Sequence, residues 1–270
     1  METKPLFYPV RKVPVKGLIP LEYLPNNNID QAIVVDYPEG PRIVNFCSKS
    51  YELQTNESIV GPLFEAFAIK GLKIKMEFKI RDHAKFYIDF IATDFANSIT
   101  EKDDVFPRLR VQNSYDGSLK YQGSFGLYRL VCLNGLSIPV QNATTSTDKM
   151  MHTAQVLSDL LVTETLDKFE VFCEKASEFL EPFQKLRAQP IYAPEQRIME
   201  VATETNFPKK MAEDALERLN IEMAHFGLAT ANDWLIYNAL NYQLNHGETR
   251  AKEHKKDKVD LEILDFLLYS

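Results

Sequence analysis

Residues 72–80 (Leu-Lys-Ile-Lys-Met-Glu-Phe-Lys-Ile) alternate apolar and polar without a break. Side chains alternate sides along a strand, so Leu72, Ile74, Met76, Phe78 and Ile80 share one face. Lys73, Lys75, Glu77, Lys79 and Arg81 share the other, which predicts a half-buried strand with a wet, mostly basic side. Asp82-His83-Ala84 turns the chain, and Lys85–Ala92 returns as its antiparallel partner. Further strands are predicted at 31–36, 42–51, 108–113 and 127–133. Asp-Gly at 116–117 and Asn-Gly at 134–135 mark turns. Thr55 to Ser58 offers cap chemistry for a short helix over 59–67, ended by Gly71. Ile99 to Val105, with Asp103 and Asp104, reads as a polar loop.

The period changes near residue 145. Val156, Leu160, Leu161, Leu166, Phe169, Phe172, Ala176, Phe179 and Leu180 recur mostly at three- and four-residue steps, predicting one or two helices over 150–186. Pro208 opens a helix over 208–219, Thr230 to Asp233 caps one over 234–244, 247–258 reads as a charged loop, and 261–269 closes with a helix. Seven prolines between Pro5 and Pro41 predict an extended arm over residues 1–40. The expected organisation is α+β: the arm, a β-rich antiparallel sheet region with one short helix over 41–145, and a helical region over 146–270.

An apolar fraction of 45% and a charged fraction of 26% across 270 residues exclude disorder and a disulfide scaffold as overall descriptions. No apolar run approaches the roughly 20 residues of a membrane helix, and the first residues lack a signal-peptide core. Three widely spaced cysteines, Cys47, Cys132 and Cys173, read as reduced thiols, which points to the cytoplasm. The net charge is −7, yet residues 1–150 hold 18 basic and 17 acidic side chains, so the deficit lies in the second half.

No nucleotide loop, nucleophile elbow or zinc-binding helix motif is present, and ten glycines leave little for a phosphate cradle. No catalytic residue, metal or cofactor is expected. The feature that stands out lies in residues 70–85, where six cations face two acids. Alternation spaces Lys73, Lys75, Lys79 and Arg81 at about 6.5–7 Å per two residues, close to the phosphate spacing of a stretched single strand. Lys85, Arg108, Arg110 and Arg129 on neighbouring segments extend the set. Tyr115 and Tyr128 offer stacking faces, with Tyr121 and Phe125 beside them, as single-strand binders require.

Three segments resemble the phage/plasmid-like family of unknown function (domain of unknown function 932). They are Ser48 to Glu57 (S-x-x-Y-x-x-x-x-N-E), Gly126 to Gly135 (R-x-V-C-x-N, with Met151-His152-Thr153 downstream) and Trp234 to His246 (W-x-x-Y-N-A, ending in His). Gly135 stands where the family more often has Thr. The resemblance implies mainly a setting, in phages, prophages and plasmids, often near anti-restriction or recombination genes; no enzymatic activity follows from it. The outline, β-rich then helical, is similar to phage single-strand annealing proteins of the Red-beta and Erf type, a fold-level analogy.

The expectation is therefore a non-enzymatic phage or mobile-element protein that binds and anneals single-stranded DNA as a homo-oligomer, off the membrane. Two rival readings are an interaction protein that blocks a host defence or restriction complex through its acidic half, and a metal-dependent nuclease using Asp82, His83 and Asp89.

Overall fold

The structure, a computed structural model, describes residues 4–16, 20, 22, 29–81, 84–100, 103–119, 121–129, 134–136, 159–247 and 253–270. It is α+β, with antiparallel sheets in the first half and helices in the second. The chain forms two compact units that interleave along the sequence. The first takes residues 1–91, 109–125 and 142–171; the second takes 92–108, 126–141 and 172–270.

In the first unit the expected arm is built into a sheet. Strands β1 (Val10–Pro14), β2 (Gln31–Tyr37) and β3 (Gly40–Cys47) pair antiparallel in that order. Pro14 ends β1, Pro38 sits in the turn before β3 and Pro41 lies at the start of β3, where a missing N–H costs little. Central β2 buries Ala32, Ile33, Val34 and Val35 in succession, the run of a strand covered on both faces. Leu6 and Val15 are buried as well, which ties the arm down.

Helix α1 (Asn56–Ile69) starts where the sequence places its cap: Thr55 Oγ1 accepts from Ser58 N at 3.0 Å. Gly71 ends it at φ +71°, a conformation that costs glycine no side-chain clash. A larger sheet orders its strands β4 (Ile74–Arg81), β5 (Lys85–Ala92), β7 (Asp103–Ser114), β8 (Gln122–Arg129) and β9 (Asn134–Leu136), with β6 (Asn97–Thr100) pairing β7. Phe67 packs on Phe90 and on Phe169 of α2 (Asp159–Glu174), while Phe86 packs on Tyr115, forming the aromatic core of the first unit.

In the second unit, Pro182 lies in the first turn of α3 (Glu181–Arg187), after the 3-10 turn Ala176–Leu180 that divides the helical stretch expected at 150–186 into two helices. Pro194 likewise opens α4 (Pro194–Glu204). Helix α5 (Lys209–Phe226) stops at Gly227 (φ +65°), and Leu228 N reaches Met223 O at 2.9 Å. Helix α6 (Asp233–His246) is capped by Asn232, whose Oδ1 accepts from Leu235 N at 3.0 Å. It buries almost every residue and packs against α3, α4, α5 and α7 (Glu253–Tyr269). Between these helices, β10 (Pro190–Ile191) and β11 (Ala231–Asn232) form a two-residue ladder.

Three expectations change. The polar loop at 99–105 is the end of β6 and the start of β7, and Asp103 is buried there because an arginine answers its charge. Asn134-Gly135 is not a turn but part of β9, pairing β8 with Leu136 opposite Leu127. The charged loop at 247–258 holds the first turns of α7, whose buried face includes Lys256 and Asp260. The connector at 141–148, along with His83, Lys120, Cys132 and Met151-His152-Thr153, lies outside the described residues.

Candidate functional site

The cation row survives folding on β4. This strand is the outermost of its sheet among the described residues. Period two places Lys75, Glu77, Lys79 and Arg81 on one side, with Lys73 one residue ahead of the strand. Lys73 and Lys79 are exposed, and Lys75, Glu77 and Arg81 are half-buried. Lys75 Nζ lies 2.7 Å from Glu77 Oε1, so the row contains an ion pair.

The cations expected on neighbouring strands are placed differently. Lys85 lies 3.6 Å from Asp116. Burial pushes the Asp116 carboxyl up, but hydrogen bonds from Ser118 and the nearby Lys85 charge outweigh it and hold the group below its ordinary value. Arg110 grips Asp89 through two bonds of 2.8 Å; Asp82 and His83 lie outside the described residues. Arg108 is buried at 6% exposure.

Arg129, Tyr115 and Tyr128 are corrections. Arg129 has no exposed side-chain surface, so a nucleic-acid phosphate has no access to it. Tyr115 and Tyr128 are each 2% exposed and present no face for a base. Tyr115 packs on Phe86, and its hydroxyl accepts from Asn56 N at 2.9 Å. Burial pushes its phenol up to about 12, with the Asn56 N–H working against the rise. Tyr121 is driven by burial to the same value, and Phe125 packs on Phe169.

Arg129 instead centres a buried network in the second unit. Its Nε and Nη2 donate to the two Asp103 oxygens at 2.6 and 2.9 Å, and its Nη1 donates to Glu222 Oε2 at 2.8 Å. Arg218 Nε donates to the other Glu222 oxygen at 3.1 Å. Trp234 Nε1 donates to Asp103 Oδ2 at 2.8 Å, and its ring lies under the Arg129 guanidinium at 5.3 Å. Two cations thus face two carboxylates, which is the condition for keeping such charges out of water. Sequence reasoning missed Asp103 and Glu222: Asp103 stands beside Asp104 in a polar stretch and Glu222 among the charges of α5, so neither carries a local signal.

Several of the described residues that carry the family resemblance are structural in the same way. Asn56 of the first segment donates through Nδ2 to Leu6 O at 3.0 Å and accepts from Asn113 at 3.1 Å. Arg129 of the second segment and Trp234 of the third meet through Asp103. Tyr237 and Asn241, on the same helix as Trp234, both bond Asp260 on α7, at 3.0 and 2.7 Å. Motif residues that meet one another or lock the core are those a shared fold requires. Residues 44–262 match the family model described as Domain of unknown function (DUF932). The chain belongs to that family. DUF932 thereby accounts for the buried motif residues and leaves the β4 row to be explained on its own chemistry. No curated protein and no solved structure matches the chain. No helix among the described residues is long and apolar enough to cross a membrane.

Proposed function

We propose that this DUF932 protein binds single-stranded nucleic acid along β4 through backbone phosphates, and that it acts in DNA annealing for a phage or other mobile element. One observation carries the reading: Lys75, Lys79 and Arg81 follow one another along β4, the outermost strand of its sheet among the described residues, with Lys73 just ahead of it and Lys73 and Lys79 exposed. Extended backbone repeats every two residues at about 6.5–7 Å, so the row tracks one stretched strand better than a duplex. The phage and plasmid setting implied by the family resemblance fits this role. With the expected aromatic platforms buried, affinity comes from charge, and base stacking contributes little. Neutralising phosphates lowers the repulsion between complementary strands, which is what annealing needs.

Counterion release makes such binding steeply salt-dependent, with a slope of about −0.7 per phosphate on single strands. Fluorescence polarisation with a labelled single-stranded oligonucleotide, beside a duplex control, measures it. Lys73→Ala with Lys79→Ala is expected to make the slope shallower by about 1.4 units. An unchanged slope removes β4 from the interface.

A further inference from the structure

The second unit contains a cavity of about 420 Å³ between α3, β10, α4, the start of α6 and the end of α7. Small-molecule sites run from about 300 to 1,000 Å³, so the space suits a compact ligand. Leu186, Ile191, Leu267 and Leu268 supply its apolar wall. At the inner end, Arg197 donates to the two Asp233 oxygens at 3.1 and 3.2 Å, to Glu200 at 2.9 Å and to Ser270 Oγ at 2.7 Å. The Arg197 and Asp233 side chains are 16% and 13% exposed. Two carboxylates answer one guanidinium there, so this end holds no surplus positive charge and offers hydrogen-bonding groups instead. The mouth has the opposite character. Lys185 lines it, 67% exposed, with Glu181 at 2.9 Å. Water screens an ion pair at this exposure, so the lysine is available to a stronger anion. Tyr269, between the lining residues Leu268 and Ser270, is 87% exposed. The Glu181 hydrogen bond and charge push the Lys185 pKa up, and the Tyr269 phenol adds to the rise, which sets that ring beside the lysine.

We propose that this cavity binds a nucleotide: its ring stacks on Tyr269, the edge of its base reaches the Arg197–Asp233 pair, and its phosphate sits on Lys185 at the mouth. Three surfaces follow one another here, a hydrogen-bonding end, an aromatic face and a cation. A nucleoside monophosphate presents their complements in the same order: a polar base edge, a planar ring and an anion. Stacking of a base on an exposed aromatic side chain tolerates every base, because each has a π-face. Every lining residue falls within 172–270, so the site does not depend on β4.

The test is isothermal titration calorimetry of the full chain at low salt with adenosine monophosphate, adenosine and inorganic phosphate. The monophosphate is expected to bind at one molecule per chain, adenosine several-fold more weakly, and phosphate alone more weakly still. Tyr269→Ala is expected to weaken the monophosphate and adenosine alike by at least about fivefold, the lower end of what a stacked base contributes. Lys185→Ala is expected to bring the monophosphate down to the affinity of adenosine and to leave adenosine unchanged. Gln189 is an exposed lining residue, so Gln189→Trp adds bulk at the entrance without entering the core, and it is expected to abolish both. Lys73→Ala with Lys79→Ala is expected to leave all three ligands unaffected, whichever way the β4 reading falls. No binding of millimolar monophosphate overturns the proposal. So does phosphate binding as tightly as the monophosphate, since the ring would then contribute nothing. Binding that survives both Tyr269→Ala and Gln189→Trp, or that disappears with Lys73 and Lys79, places the ligand elsewhere and overturns it as well. Thermal melts by circular dichroism check that each variant folds.

Discussion

Arg129 keeps a full positive charge with none of its side chain exposed, and four groups share that charge. Asp103 and Glu222 accept its hydrogen bonds, and Trp234 and Phe226 lie beside its guanidinium at 5.3 and 5.7 Å. Removing it leaves two buried carboxylates with Arg218 as their remaining cation in the network. Breaking a buried pair by deleting one partner costs about 3–5 kcal/mol. Arg129→Met is therefore expected to lower unfolding stability by about that much, read from denaturant midpoints. Arg129→Lys is expected to fall well short of rescue, because one ammonium cannot make a two-pronged bond to Asp103 while reaching Glu222. Lys79→Ala, on the surface, is expected within about 0.5 kcal/mol of the natural protein. The contrast explains what could be read beforehand. Period two places Lys79 in water from its neighbours alone. The burial of Arg129 depends on an acid 26 positions earlier and another 93 positions later, which no local pattern reports.

Elements follow the same rule of local against distant causes. Strand β5 occupies residues 85–92 as its pattern predicts, and α1 and α6 start at their capping side chains, because those signals lie within a few residues. The first turns of α7 read as loop because Lys256 and Asp260 look like solvated charge, yet Lys256 donates to Leu244 O and Asp260 holds Tyr237 and Asn241. The end of α5 isolates one local cause cleanly. Gly227 sits at φ +65°, and a Cβ added there would meet no atom within 4 Å. Substitution therefore costs backbone conformation and no crowding. Gly227→Ala is expected to destabilise by about 1 kcal/mol, and Gly227→Asn by less, since Asn adopts this conformation more readily. Thermal unfolding of both variants checks the order; equal losses would mean the left-handed cap is not the cause.

At the scale of the whole chain, the two units do not correspond to a β-rich front and a helical back. The first unit needs α2 residues from the back: Phe169 packs on Phe67 and Phe125, and Lys70 lies 2.9 and 2.5 Å from Asp167 and Glu170. The second unit needs β-rich residues from the front, because Asp103 and Arg129 meet Glu222 and Trp234. Cutting at residue 145 strips both. The front fragment loses the aromatic cover over Phe67, and the back fragment keeps Glu222 buried without Arg129 and Trp234 Nε1 without its acceptor. A buried carboxylate left with Arg218 alone and an orphaned donor each cost kilocalories that a fragment near the threshold of stability does not have. Residues 1–145 and 146–270 expressed separately are therefore expected to lack cooperative melting by circular dichroism, while the full chain shows it. Mixing the fragments is expected to restore a cooperative transition, because the missing partners return in trans. Two fragments that each melt cooperatively on their own would show that the linear division, and not the interleaved one, sets the folding units.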